Sequence, residues 1–410
     1  VTATVPGKIT LEAIAVDSDG IEGRTTTQLK VRDPADKLAP IVGFASTLAS
    51  ARLHAPLDLL GTVDDTNLDT WQLTLTPDAG GETVVIAQGE STVDGTLTQF
   101  DPRRLLDGFY TLTLTARDIG GRTSLASVEV EIDTDAKLGR YTREDTDLTV
   151  NLGGIEFVLV RKYDALAYGV DGAFGAAWDL VGRDVHFETN VPSTGREALG
   201  VFSAYADGTR AYIDLPNGER AGFSFLPIPT LIGGNTFYRP AWLASDGHGY
   251  VLSSVDALLT KAGARYYDAA SGQPYNPQSS FFTGADFTLT APDGTQYLFD
   301  GADGIQEIRT AGGERLFVSD NAVTASSGAA LQFIRDAQGR ITRAVAPNGT
   351  TIVYVYDAQG HLGTVRNVST GSGYRYTYED ARLIGSVRIG GSGESIVYNA
   401  DGSVTAQAVT

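Results

Sequence analysis

A short unit recurs near the C-terminal end of this chain: Phe333 to Gly339 (FIRDAQG), Val355 to Gly360 (VYDAQG), Tyr376 to Arg382 (YTYEDAR) and Val397 to Gly402 (VYNADG). Each copy closes a strand with aromatic or β-branched residues, adds an acidic residue and a turn, then returns as a strand such as Arg340-Ile341-Thr342. Asp336 and Asp357 stand twenty-one residues apart, and Asp380 follows after twenty-three. One hairpin cannot bury its own apolar face, so a period of roughly twenty makes each copy lean on the next in a stacked architecture. Asp336, Gly339, Asp357 and Gly360 are the turn residues of the unit. Tyr354, Tyr356, Tyr374, Tyr376, Tyr378 and Tyr398 occupy strand positions, with two-residue steps that put neighbouring rings on one face. Cross-strand aromatic pairs contribute ~0.2 to 1 kcal/mol each, so rows of them form a seam. Exposed tyrosine faces also stack on sugars, but a regular repeat needs a regular core, and the rows read first as packing.

The same residues resemble a known family. Tyr356-Asp357-Ala358-Gln359-Gly360-His361-Leu362, preceded by Pro347-Asn348-Gly349-Thr350, is similar to the YD repeat of the Rhs and teneurin families. The match is best over residues 331–402, and its last two copies depart from it, with Glu379-Asp380 and Asn399 where Tyr-Asp would stand. Upstream, Arg161-Lys162-Tyr163-Asp164 and Gly172-Ala173-Phe174-Gly175-Ala176-Ala177-Trp178 resemble the phrase that opens the sheet in Rhs-type proteins, with Ala165 and Ala177 in place of the family's Ser and Gly. The resemblance implies hairpins that wind into one spiral β-sheet closing into a hollow shell.

The rest of the sequence agrees with an all-β fold. Asp-Gly or Asn-Gly pairs at Asp19-Gly20, Asp94-Gly95, Asp107-Gly108, Asp171-Gly172, Asp207-Gly208, Asn217-Gly218, Asp293-Gly294, Asp303-Gly304 and Asn348-Gly349 supply tight turns between short alternating segments such as Tyr110 to Thr115 and Ile352 to Tyr356. Helical spacing of Val255, Leu258, Leu259, Ala262 and Tyr266 competes with a hairpin turning at Ala262-Gly263. The hairpin is preferred, because Gly inside a helix costs about 1 kcal/mol. Leu11 to Asp17 ending in Gly23-Arg24-Thr25 parallels Leu112 to Asp118 ending in Gly121-Arg122-Thr123, with Ala15 and Ala116 lying 101 residues apart. That is the length of an immunoglobulin-like sandwich. The expected organisation is therefore the C-terminal strands of one immunoglobulin-like sandwich (1–33), a second β-sandwich (38–134), an Rhs-type β-rich opening region of a shell (138–330) and YD repeats (331–410). Pro34 and Pro40 stiffen the first junction.

Composition narrows the function. With 31 basic and 50 acidic side chains the net charge is −19, which disfavours nucleic acid and binding to anionic membrane surfaces by bulk electrostatics. No cysteine is present, which removes disulfides, zinc-thiolate sites and thiol nucleophiles. No apolar run is long enough for a membrane span. Val1 opens inside a strand pattern and Thr410 follows a repeat, so the chain is expected to be an interior piece of a longer polypeptide.

Few residues offer chemistry. His54, His186, His248 and His361 show no metal-ligand spacing, and His361 fills the slot of Arg340 one repeat earlier, as a surface-turn residue. Asp17, Asp19 and Glu22 around Gly20, and Asp64, Asp65 and Asp69 near Asn67, offer hard oxygen ligands for calcium without an EF-hand pattern. No nucleophile elbow of the GxSxG kind occurs, and no carboxylate pair for glycoside hydrolysis can be picked out. No catalytic residue, cofactor or enzymatic activity is expected in this segment. What the resemblance implies is a secreted or cell-surface protein whose wall and entrance enclose a C-terminal toxin or effector domain of the same polypeptide. The alternatives are a teneurin-like adhesion protein that binds a cell-surface protein or glycan, and a carbohydrate-binding or carbohydrate-active β-protein.

Overall fold

The computed structural model describes residues 5–78, 82–168, 170–215, 220–245, 247–301 and 304–409. The expected turns at Asn217-Gly218 and at Asp303 lie outside the described residues. The chain divides into two compact units, residues 1–103 with 108–136, and residues 104–107 with 137–410. Among the described residues, apart from four single-turn 3-10 helices, the regular elements are strands, and no described helix is long and apolar enough to cross a membrane.

In the first unit, Gly7–Val16 and Glu22–Val31 form a two-stranded antiparallel hairpin in unbroken register. It is exposed along nearly its whole length. The remainder holds a three-stranded sheet (Ile41–Phe44, Leu57–Asp64, Val93–Phe100) and a five-stranded one (Ala51–Leu53, Thr123–Ile132, Gly108–Asp118, Leu68–Pro77, Val84–Gly89). Period-two alternation sends Leu73 and Leu75, Leu112, Leu114 and Ala116, and Leu59 and Val63 into the interior.

In the second unit, Thr142–Leu152 and Ile155–Asp164 form a long hairpin with a bulge between Thr146 and Leu148, extended by Trp178–Leu180. A continuous antiparallel sheet runs from Val251–Ser254 through Phe287–Thr290 to Val404–Val409, its fourteen described strands ordered as they follow in the chain. The sheet thus crosses position 330, where the sequence places the start of the repeats. One register shift near the turn recurs at Leu298/Phe299, Ile334/Arg335, Val355/Tyr356 and Thr377/Tyr378. The backbone repeat therefore extends upstream of the sequence repeat. Leu259–Ala262 and Arg265–Asp268 pair as a hairpin, Thr260 opposite Tyr267, around Gly263 at φ +60°. The turn sits one residue later than the sequence places it, because Gly263 is the residue that accepts a positive φ.

Strand spacing is tight at Gly373, where an added Cβ would lie 1.9 Å from the Val365 carbonyl oxygen. Gly373→Ala is expected to destabilise the second unit by roughly 1 to 3 kcal/mol through overpacking. A lowered urea midpoint at unchanged slope would show it.

Candidate functional site

The repeat is built from its turns. Asp336 Oδ1 accepts hydrogen bonds from the amides of Gln338 (3.0 Å) and Arg340 (3.0 Å). Asp357 Oδ1 does the same for Gln359 (2.9 Å) and His361 (2.8 Å). Gly339 at φ +82° and Gly360 at φ +93° close the two turns. The third copy turns differently. Asp380 and Ala381 both take positive φ, 47° and 62°, between the paired residues Glu379 and Arg382. This two-residue reversal explains why the copy departs from the sequence pattern: a shorter loop needs two left-handed residues in place of the Asp-to-Gly span.

The residue after each turn stacks on a tyrosine of the next hairpin. The Arg340 guanidinium lies 4.3 Å from the Tyr356 ring centre, and that of Arg382 lies 5.6 Å from Tyr398. The His361 ring stacks on Tyr378 at 4.8 Å and 22°. The three hydroxyls donate to the carbonyls of Ile341 (2.6 Å), Leu362 (2.9 Å) and Leu383 (3.1 Å). Each clamp thus joins one hairpin to the next. His361 is more than a surface-turn residue: its side chain is mostly covered and takes the place of Arg340 in the stack. The signal was present in the sequence as a basic residue, then Ile or Leu, then Tyr sixteen or seventeen residues after the base.

A second tyrosine row faces the upstream hairpin. Tyr354 donates to Asp147 Oδ2 (2.8 Å) and Tyr376 to Asp145 Oδ2 (2.6 Å). Arg161 is fully buried between them. It grips Asp147 through Nε (2.6 Å) and Nη2 (2.9 Å) and donates to the Tyr376 hydroxyl (3.1 Å). Its Nη1 has no hydrogen-bond partner, while its guanidinium lies 5.0 Å from the Trp178 ring and 5.5 Å from Tyr376. Arg143 forms a two-pronged pair with Asp145 (2.8 and 2.8 Å) and donates to Ser386 (2.9 Å) and Glu394 (3.0 Å). Tyr141 donates to Glu394 (2.7 Å), and Trp178 Nε1 to the Tyr378 hydroxyl (2.9 Å). Burial works against the charge on Arg161, but Asp147 outweighs it and holds the guanidinium protonated far above its ordinary value. Burial, then Asp147, pushes the Tyr354 hydroxyl up as well, so it stays a neutral donor.

Among the described residues, two groups bring three potential metal ligands together: Asp179, His186 and Asp214, and Asp36, Asp65 and Asp118. Asp65 therefore meets Asp36 and Asp118 instead of its sequence neighbours Asp64 and Asp69. Asp69 is held by Lys30 at 2.6 Å, and Arg122 already lies 2.5 Å from Asp118. At the other expected calcium loop, Asp17 is turned inward to accept the amides of Asp19 (2.9 Å) and Ile21 (2.8 Å), and Glu22 pairs with Arg24 at 2.7 Å. Asp17, Asp19 and Glu22 form no three-ligand group among the described residues. His186 sits 3.2 Å from Asp179 and 4.0 Å from Asp214, which also binds Arg220 at 2.6 Å. Burial would lower the imidazole, but the hydrogen bond to Asp179 and the charges of Asp179 and Asp214 push it up to about 9.

Hairpins chained through tyrosine clamps and sealed by a charged upstream hairpin define an all-β hairpin-repeat protein. Residues 335–373 match the family model described as RHS Repeat, within the stretch whose sequence resembles the YD repeat. No curated protein matches it. Among solved structures, the human Desmocollin-1 ectodomain aligns over 98% of this chain and 84% of its own at 11% identity, with a TM-score of 0.16, a likeness too slight to carry an argument.

Two expectations follow. Removing the buried cation by Arg161→Met leaves Asp147 uncompensated and is expected to destabilise the second unit by about 3 to 5 kcal/mol; denaturant unfolding followed by tryptophan fluorescence measures it. Because the His186 pKa is raised in the folded state, its contribution is complete below the unfolded value of about 6.5 and is lost as pH rises through about 9. A pH series of thermal midpoints is expected to fall over that window in the native chain and to flatten in His186→Gln.

Proposed function

We propose that this chain is the entrance and first part of the wall of a secreted or cell-surface Rhs-type shell, enclosing a C-terminal toxin or effector domain of the same polypeptide. The observation that carries the reading is the buried lock of Arg161, Asp147, Asp145, Tyr354 and Tyr376, which fastens the hairpin of residues 142–164 to the repeat sheet. A wall built from hairpins needs successive repeats held together, and the lock ties three of them to one upstream hairpin. The chain's role in this reading is structural and holds no catalytic group. Its immunoglobulin-like modules would carry the shell at the cell exterior.

The reading is tested on the full-length polypeptide. Small-angle scattering is expected to show a low-density interior, and the C-terminal domain is expected to resist protease until the wall is opened by Arg161→Met. A solid particle, or a C-terminal domain cleaved as fast in the native protein as in the variant, would refute enclosure. A downstream sequence of further sandwiches or a wall anchor would instead support the adhesion reading.

A further inference from the structure

The hairpin of Ile228–Ile232 and Asn235–Arg239 differs from every repeat hairpin described above. Its strands pair from Ile228 opposite Arg239 to Ile232 opposite Asn235, yet it meets its neighbouring strand only at Tyr238 opposite Leu259. Residues 230–237 thus have no third strand beside them among the described residues. Leu231 is 74% exposed, Ile228 59% and Ile232 45%. Leu231 and Ile232 are adjacent in one strand, so they project to opposite faces. A Cβ added at Gly233 or Gly234 would meet nothing within 4 Å, so the tip is open around the turn. From Ala221 to Tyr238, eighteen consecutive residues carry no charge, in a chain that is 20% charged. A hairpin solvated on both faces is expected to be polar on both, and this one is apolar on both.

The occupant follows from three features. The strand Ile228–Ile232 is the free edge of its sheet, and Pro229 within it lacks an amide donor, which discourages strand addition by a second copy. A protein groove covers one face of a hairpin, whereas apolar side chains on both faces call for an apolar phase around the whole tip. The net charge of −19 repels anionic lipid, and the tip has no cation to offset it. At the hairpin base the half-buried Tyr238 packs edge-on at 5.4 Å against the buried Tyr266, and the two nearby cations are ion-paired, Lys261 with Asp207 at 2.5 Å and Arg239 with Asp256 at 2.7 Å. With its cations ion-paired, the base adds no attraction for anionic lipid, and Tyr238 below an apolar tip suits the headgroup level of a zwitterionic bilayer. We propose that residues 230–235 insert into the interface of a zwitterionic lipid bilayer and anchor the chain to it without spanning.

The test is flotation of the 410-residue chain with phosphatidylcholine vesicles. The native chain is expected to float with them at low and high salt alike, and Leu231→Asp combined with Ile232→Asp is expected to lower the partition at least about tenfold. In Leu231→Trp, the added emission is expected to shift to the blue when vesicles are present, a reading that does not depend on the acidic variant folding. Absence of flotation, equal flotation of the double variant, or an unshifted Leu231→Trp spectrum would overturn the proposal. So would a vesicle-free dimer, seen by sedimentation velocity and lost in the double variant, which would make a second copy the occupant.

Discussion

The hairpin of residues 142–164 is held to the repeat sheet around a guanidinium kept away from water. Arg161 has no accessible surface, and a buried ion is tolerated only when charge and hydrogen bonds are returned to it. Asp147 supplies both, and Asp145 lies 3.9 Å away. Arg143 balances Asp145, so two cations face two anions, with Glu394 at the rim. Replacing such a cluster by apolar residues of the same shape often leaves stability unchanged or raises it. Its value here is register. Asp145 stands opposite Arg161, and the bulge between Thr146 and Leu148 leaves Asp147 outside the residue-by-residue pairing; a slip of one position would turn Asp145 to the face opposite Arg161. Arg161 would then lose one of its two anions, so a one-residue slip is penalised.

The tyrosine clamps have a different logic. Tyr356, Tyr378 and Tyr398 each bond the carbonyl that follows the preceding turn, and each covers the cation or imidazole beside that carbonyl. The ring supplies apolar area while the hydroxyl satisfies a backbone acceptor, a pairing that suits a residue with an apolar body and a polar end. His361 works in place of arginine because the stack uses a flat polar group that Asp357 can hold, at 3.1 Å. Charge on that group is secondary.

Much of this was legible in the sequence. Turn chemistry announced itself through Asp and Gly at fixed offsets, and the strands through alternation, because both signals are local. The hairpin around Gly263 was readable for the same reason. The lock was not, since Arg161 and Tyr376 are 215 residues apart and nothing in either neighbourhood names the other. The three-carboxylate group was not legible for a related reason. Asp64, Asp65 and Asp69 cluster in sequence, yet Asp64 ends one strand, Asp69 lies in the next, and Asp65 in the connection between them meets Asp36 and Asp118 from other segments. Proximity along the chain is a poor guide to ligand sets in β-proteins.

The two devices divide the work of cohesion. A clamp joins one hairpin only to the next, so stability along the sheet accumulates through nearest neighbours, as in other repeat arrays, and local loss stays local. The lock acts across that direction. Asp147 reaches Tyr354, Asp145 reaches Tyr376, and Tyr141 and Arg143 reach Glu394, so one upstream hairpin touches three successive repeats at once. Those repeats cannot open singly without breaking a buried ion cluster that they share. Cooperativity therefore enters a modular sheet through an element that is not itself a repeat, and the aromatic rows that look like a uniform seam serve two neighbours, the next hairpin and the lock.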